Sequence, residues 1–248
     1  QLGIIYDLKP LDSLYNLVLK DNFTWLQRIK VVFGLACLLK VMHDEDPTYL
    51  PYLVHNIDAA HIMLDQDYNP KLCDFSMISG GILPAKTRLP NPYVLGCYGY
   101  IDLHSCRIGK WSEEVDVFAF GVLLLMLMSK RVFTEEDRSD FNVPLVYEWA
   151  QSVYKPKRSV TGIGKSVCSL VHRSLLVKPG FYYSDGHEIT KLAMRCVEYF
   201  PSRRPTMKQI VKHLLDLRVI RRYADILGIH QMLRSHGVFP QKDNLALT

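Results

Sequence analysis

Six cysteines and nine histidines are the residues of this chain with the widest chemical repertoire, and their spacing narrows it at once. Cys37, Cys73, Cys97, Cys106, Cys168 and Cys196 form no CxxC pair, and no two histidines stand in an HExxH arrangement, so the common zinc signatures are absent. A disulfide framework belongs to small secreted chains, so reduced, buried thiols are expected here, on the cytosolic side of a membrane. Serine chemistry has no GxSxG elbow to work from. Segment 152–166 ends in GIGKS like a phosphate-binding P-loop, but that motif needs Gly where Ser159 stands and a buried strand before it, and neither is present.

The elements that must position any site can be read by period. Val117 to Met128 is twelve apolar residues long, bounded by Asp116 and Ser129, which predicts a helix buried on every side. It is too short to span a bilayer, which takes about 20 residues. Ile189, Leu192, Ala193, Cys196 and Val197 follow helical spacing, with Asp185 as the expected cap. Trp25 to His43 predicts a longer apolar helix that starts after Thr24 and stops in the acidic, Pro-containing turn 44–47. Short extended pieces are expected at 3–6, 61–64 and 70–73, the last two joined by the polar turn 65–69. Segments 77–112 and 152–166 read as long loops. Between Arg203 and Arg222 seven Lys or Arg face Asp216 alone, which predicts a solvated basic helix.

Composition agrees with a folded domain. Of 248 residues 48% are apolar and 22% charged, and the net charge is only +5, which excludes a disordered tail and gives no support for a nucleic-acid binder. The chain opens on Gln1 without a leader, as a fragment or a processed form would.

Six fragments in order then carry a resemblance: Val54-His55-Asn56, His61-Ile62-Met63-Leu64, Lys71 to Ser76, Gly96 to Tyr100, Asp116 to Gly121 and Arg204 to Met207. Together they resemble the C-terminal lobe of the protein kinase fold as found in plant receptor-like kinases, over residues 1 to about 217. The resemblance implies an α+β, protein-kinase-like fold: a mainly α-helical C-terminal lobe (1–217) with a few short β-strands, followed by a basic helical extension and tail (218–248). Tyr6, Asp7 and Leu8 fall at the vestigial hinge of the nucleotide cleft, and 77–105 at the activation segment, with Thr87, Tyr93 and Tyr98 as candidate phosphate acceptors. Nothing in the chain matches the Gly-rich loop, the β3 Lys or the αC Glu. The N-terminal lobe is therefore expected to be largely missing and no cofactor is expected; ATP and Mg²⁺ would require that lobe.

The same alignment puts Asn56 at the catalytic base, Asp58 at the phosphate-steadying Lys and His61 at a metal-binding Asn. An amide cannot take a hydroxyl proton, and imidazole is a poor ligand for Mg²⁺. Reversing a charge about 4 Å from a phosphate, at an effective dielectric near 20, turns an attraction of roughly 4 kcal/mol into a repulsion. Asp74, 18 residues after Asn56, keeps the metal-binding position as Asp74-Phe75-Ser76, as either a residual cation site or a structural capping Asp; Ser76 in place of Gly removes easy access to positive φ. Asp116 matches the anchor of the buried helix. Arg204 matches an Arg whose family partner, a Glu, is replaced by His104, so that restoring the Glu should stabilise the fold unless Arg204 has another acceptor.

The resemblance implies a catalytically impaired, pseudokinase-like protein acting as adaptor or scaffold in plant receptor or immune signalling. It is similar to the pseudokinase adaptors of nucleotide-binding leucine-rich-repeat immune receptors, although that group retains Lys where this chain has Asp58. The expected partners are proteins, a receptor kinase or such an immune receptor. No nucleic acid and no transmembrane segment are expected, and the location is cytoplasmic, including the inner face of the plasma membrane. The competing reading is an active serine/threonine kinase, which would need a proton acceptor from elsewhere.

Overall fold

In the computed structural model, residues 9–44, 48–83, 97–134, 136–140, 142–154 and 169–235 are described, and two helices set the frame for all of them. Helix α2 (Trp25–Met42) follows a short strand β1 (Asp12–Ser13) and helix α1 (Leu14–Val18). It begins at Thr24 because the Thr24 hydroxyl accepts from the Gln27 amide while the Gln27 side chain accepts from the Thr24 amide, so two otherwise orphaned donors are satisfied. Strands β2 (Leu50–Leu53), β3 (Ile62–Leu64), β4 (Pro70–Leu72) and β5 (Ser79–Gly81) come next, then helices α3 (Leu103–Ile108) and α4 (Glu113–Ser129). The remaining helices are α5 (Val146–Val153), α6 (Arg173–Leu176), α7 (Tyr183–Cys196), α8 (Met207–Leu215), α9 (Arg218–Arg222), α10 (Ala224–Leu227) and α11 (Ile229–Ser235).

The strands form two small antiparallel sheets, β1-β3-β4 with Asp12 opposite Leu64 and Ile62 opposite Leu72, and β2-β5 with Leu53 opposite Ser79. Between β3 and β4 the tight turn 65–69 closes on the Asp65 carboxylate, which accepts from the amides of Asp67 and Asn69. Both sheets flank the polypeptide from Val54 to His61, which thereby has a strand on each side to hold its ends.

Every residue of α4 from Asp116 to Ser129 is buried, as the unbroken apolar run predicts. The helix packs against α7, α2 and α5, and α2 in turn carries α8, α10 and α11 on its other side. Gly121 sets the α4–α7 distance: a Cβ there would sit 2.5 Å from Cys196 Cβ and 2.9 Å from a Val197 methyl, so the backbones approach as closely as they do because position 121 has no side chain. Fully buried Arg28 ties α2 to the end of α4. Its guanidinium donates to the carbonyls of Leu127 (2.8 Å), Val18 (2.7 Å) and Phe23 (3.0 Å). Burial lowers its pKa to about 10, which still leaves it charged at neutral pH. The thiols of Cys37 and Cys196 are core residues, each pushed up to about 12 by burial, in keeping with the expected reduced, inert cysteines.

Three expectations need correction. Segment 77–112 is not all loop, for it contains β5 and α3; both are short, and neither has a period long enough to read. Asp185 does not cap its own helix. Helix α7 starts two residues earlier, and the buried Asp185 carboxylate instead accepts from the amides of Arg218 (3.1 Å) and Val219 (2.7 Å), satisfying the first turn of α9. The basic stretch 203–222 is not one solvated helix: it is broken between α8 and α9, and Arg204 lies buried at its start. The extended piece expected at 3–6 lies outside the described residues. Among the described residues no helix is long and apolar enough to cross a membrane.

Replacing Gly121 by Ala should destabilise the fold by about 1–3 kcal/mol, the usual cost of overpacking a close helix contact. Chemical denaturation of the two proteins measures it; an unchanged midpoint would show that α4 and α7 can separate freely.

Candidate functional site

Asp116, in the first turn of α4, fixes the loop that the resemblance aligns with a kinase catalytic loop. Its carboxylate accepts from the amides of Val54 (2.8 Å) and His55 (2.7 Å) and from His43 Nε2 (3.0 Å), the residue that ends α2. His55 takes a left-handed backbone (φ 64), which a non-glycine residue holds only when its surroundings force it. Here they do: its amide is on Asp116, its Nε2 is 2.8 Å from Ser79 Oγ in β5, and its ring lies 3.7 Å from that of Trp111.

Asn56 follows, buried, and its amide nitrogen donates to the Asp74 carboxylate in a very short bond. Its Oδ1 is buried with no partner among the described residues. The other Asp74 oxygen accepts from the Ser76 amide at 2.9 Å, so Asp74 caps the turn that follows it. Burial pulls the Asp74 carboxyl up, but the hydrogen bonds from Ser76 and Asn56 and the neighbouring His61 outweigh it and leave the group below its ordinary range. Ser76 adopts no positive φ, consistent with the loss of Gly there. These residues do not fit a paired-oxygen Mg²⁺ site, because the group that faces Asp74 is an NH₂ donor, not an oxygen ligand.

Asp58 is turned inward. One oxygen accepts from the amides of Ala60 (2.7 Å) and His61 (3.1 Å), which closes the turn into β3; the other meets His61 Nδ1 at 2.5 Å and the Cys97 thiol at 2.8 Å. The repulsion of roughly 4 kcal/mol expected from a bare carboxylate is therefore overstated, since this one is almost wholly buried and carries four donors. His61 is half-exposed while its partner Asp58 is not.

Arg204 has found another acceptor. Its guanidinium pairs with Asp102 at 2.6 Å, both side chains being essentially inaccessible, and donates further to the carbonyls of Glu114 and Glu198 at 2.8 Å each. Its flat face covers the Phe118 ring. Asp102 also opens α3, accepting from the His104 amide (3.1 Å) and the Ser105 hydroxyl (2.5 Å). His104 stacks edge-on against Tyr199 and Phe200 instead of reaching Arg204. The expected gain from His104→Glu thus rests on a vacancy that Asp102 already fills.

The structure brings Asn56, Asp58, His61, Asp74 and Asp116 into one continuous region, while Arg204 joins a separate network with Asp102 at the N-terminal end of α4. Tyr98 is half-exposed, its ring against Phe133. Tyr6, Asp7, Leu8, Thr87 and Tyr93 lie outside the described residues. Sequence reasoning missed Cys97, Ser79, His43 and Asp102 as parts of these networks. For Asp102 the signal was present: a carboxylate two residues before His104, at the start of α3.

No protein-family model matches the chain. Curated relatives do. The chain is 26% identical over 251 residues to the probable serine/threonine-protein kinase PBL10 of Arabidopsis thaliana, covering 97% of this chain and 58% of that protein. It is 28% identical over 244 residues to the serine/threonine-protein kinase PBL34 (94% and 46%) and 29% identical over 216 residues to the probable serine/threonine-protein kinase PBL6 (85% and 48%), both of the same plant. The chain spans about half the length of the curated relatives it matches. With its helical architecture and few short strands, it has the fold of a protein-kinase-like C-terminal lobe.

Removing the acceptor in Asp102→Ala should cost about 3–5 kcal/mol, the range for leaving a buried charge without its partner. His104→Glu should be neutral or destabilising, because Arg204 is satisfied and the ring contacts to Tyr199 and Phe200 are lost. Denaturation midpoints decide it, and a raised midpoint for His104→Glu would show that Asp102 is a poor substitute.

Proposed function

We propose that this chain is a catalytically impaired, protein-kinase-like module that works as an adaptor or scaffold in plant receptor or immune signalling. The observation that carries the reading is the orientation of Asn56: where a kinase needs a carboxylate to accept the substrate hydroxyl proton, this chain has an amide whose NH₂ is spent on Asp74. Loss of a general base alone removes about 10²–10⁴ in rate, and the neighbouring Asp58 and His61 are engaged with one another, so neither takes over the task. Meanwhile the parts that give the lobe its shape are intact: the buried α4, the Asp116 anchor and a fully satisfied Arg204. A lobe that keeps its scaffold and lacks a proton acceptor is suited to presenting a surface. The partners we propose are a receptor kinase or a nucleotide-binding leucine-rich-repeat immune receptor, reached at the cytoplasmic face of the plasma membrane.

The second reading, an active serine/threonine kinase, is favoured by the names of the relatives. Incubation of the full-length protein with radiolabelled ATP, Mg²⁺ or Mn²⁺ and a generic substrate separates the two. We expect no incorporation into substrate or into the protein itself. Labelling that is abolished by Asp74→Asn would establish phosphoryl transfer and replace the adaptor reading with the kinase one.

A further inference from the structure

Asp58, His61 and Cys97 place one carboxylate oxygen, one imidazole nitrogen and one sulfur within 4.8 Å of one another, a donor set unlike the Lys and Asn that the resemblance expects at positions 58 and 61. We propose that they form a site for a borderline-soft divalent transition metal, Zn²⁺ being the type, with a fourth coordination position left open to solvent. The donor set is the argument. Mixed nitrogen, thiolate and carboxylate ligation suits Zn²⁺ and its neighbours and is wrong for Mg²⁺, which takes oxygen.

Geometry supports it. With zinc bonds of about 2.0–2.3 Å, the edges of a tetrahedron between such ligands are about 3.4–3.6 Å. The edges here are 2.5 Å (Asp58 to His61), 2.8 Å (Asp58 to Cys97) and 3.9 Å (Cys97 to His61). Two edges must open by under about 1.1 Å and one must close slightly. The half-exposed His61 ring can make most of that movement, while Asp58 is held in place by the amides of Ala60 and His61 as a metal carboxylate usually is. All three donors converge on one side of the ring, at Nδ1. A relay in which His61 activates the Cys97 thiol for nucleophilic attack would need Cys97 and Asp58 on opposite ring nitrogens, so the cluster is built to hold an ion and not to run thiol catalysis. Binding exchanges protons for the metal: the Cys97 thiol loses its hydrogen to solvent and the Nδ1 hydrogen of His61 leaves or moves to Nε2, so affinity must rise with pH.

The test uses the full chain, reduced and stripped of metal, titrated with Co²⁺ as a spectroscopic probe and then with Zn²⁺ as competitor. A sulfur-to-cobalt charge-transfer band should appear, be displaced by one equivalent of Zn²⁺, resist a large excess of Mg²⁺, which takes oxygen ligands, and strengthen as pH rises. Cys97→Ser, which keeps a donor for Asp58, should abolish the band without altering the far-ultraviolet circular dichroism. His61→Ala should weaken binding by at least about tenfold, and Cys73→Ser should leave the band as it was. No band in the native chain, or a band that survives Cys97→Ser, overturns the proposal; so does displacement by Mg²⁺. Phosphotransfer plays no part in any of these readouts, so the site stands or falls apart from the adaptor reading.

Discussion

One carboxylate governs how this molecule arranges its loop. Asp116 sits in the first turn of a helix whose position is dictated by burial on all sides, and it binds three donors from two segments more than sixty residues away in sequence. Rigidity of the core is thereby transmitted to residues 54–56. That anchor helps to hold the left-handed backbone at His55, which costs on the order of 1–3 kcal/mol, next to the Asn56 that donates to Asp74. The neighbouring contacts of His55 with Trp111 and Ser79 add redundancy, as a strained residue requires.

The substitutions downstream of this anchor form a consistent set. A cation pointing outward at Asp58's position would be free to meet a phosphate; the carboxylate found there folds inward, closes its own turn and collects His61 and Cys97. Asn56 and Asp74 likewise face each other and not a ligand. The loop thus satisfies its charge internally, with each carboxylate spent on a neighbouring donor.

How much of this could be read beforehand follows from range. Helix α4 was legible because twelve apolar residues admit one explanation, and α2 because Thr24 and the acidic turn punctuate it. Strands β3 and β4 were legible through the polar turn between them. Strand β5 and helix α3 were not, since three and six residues carry too little period to stand out from loop. At the site, the identities of Asn56, Asp58, His61 and Asp74 could be read from spacing, but their orientation could not. The contact of Asp58 with Cys97 spans 39 residues, and the role of Asp185 depends on α9, more than thirty residues on. A spacing search reaches Asp58 and His61, three residues apart, and stops there, because Cys97 joins them only through the fold.

The pair between Arg204 and Asp102 bears on what positions 102 and 104 must supply. A buried guanidinium under the base of α4 tolerates no interval without an acceptor, yet it is indifferent to which residue supplies one. While Asp102 is present, residue 104 has no electrostatic duty toward Arg204 and is free to serve as an aromatic-stacking histidine; with Asp102 gone, only backbone carbonyls would face the guanidinium. The two positions therefore differ in what the fold asks of them: 102 must supply charge, whereas 104 need only supply a ring.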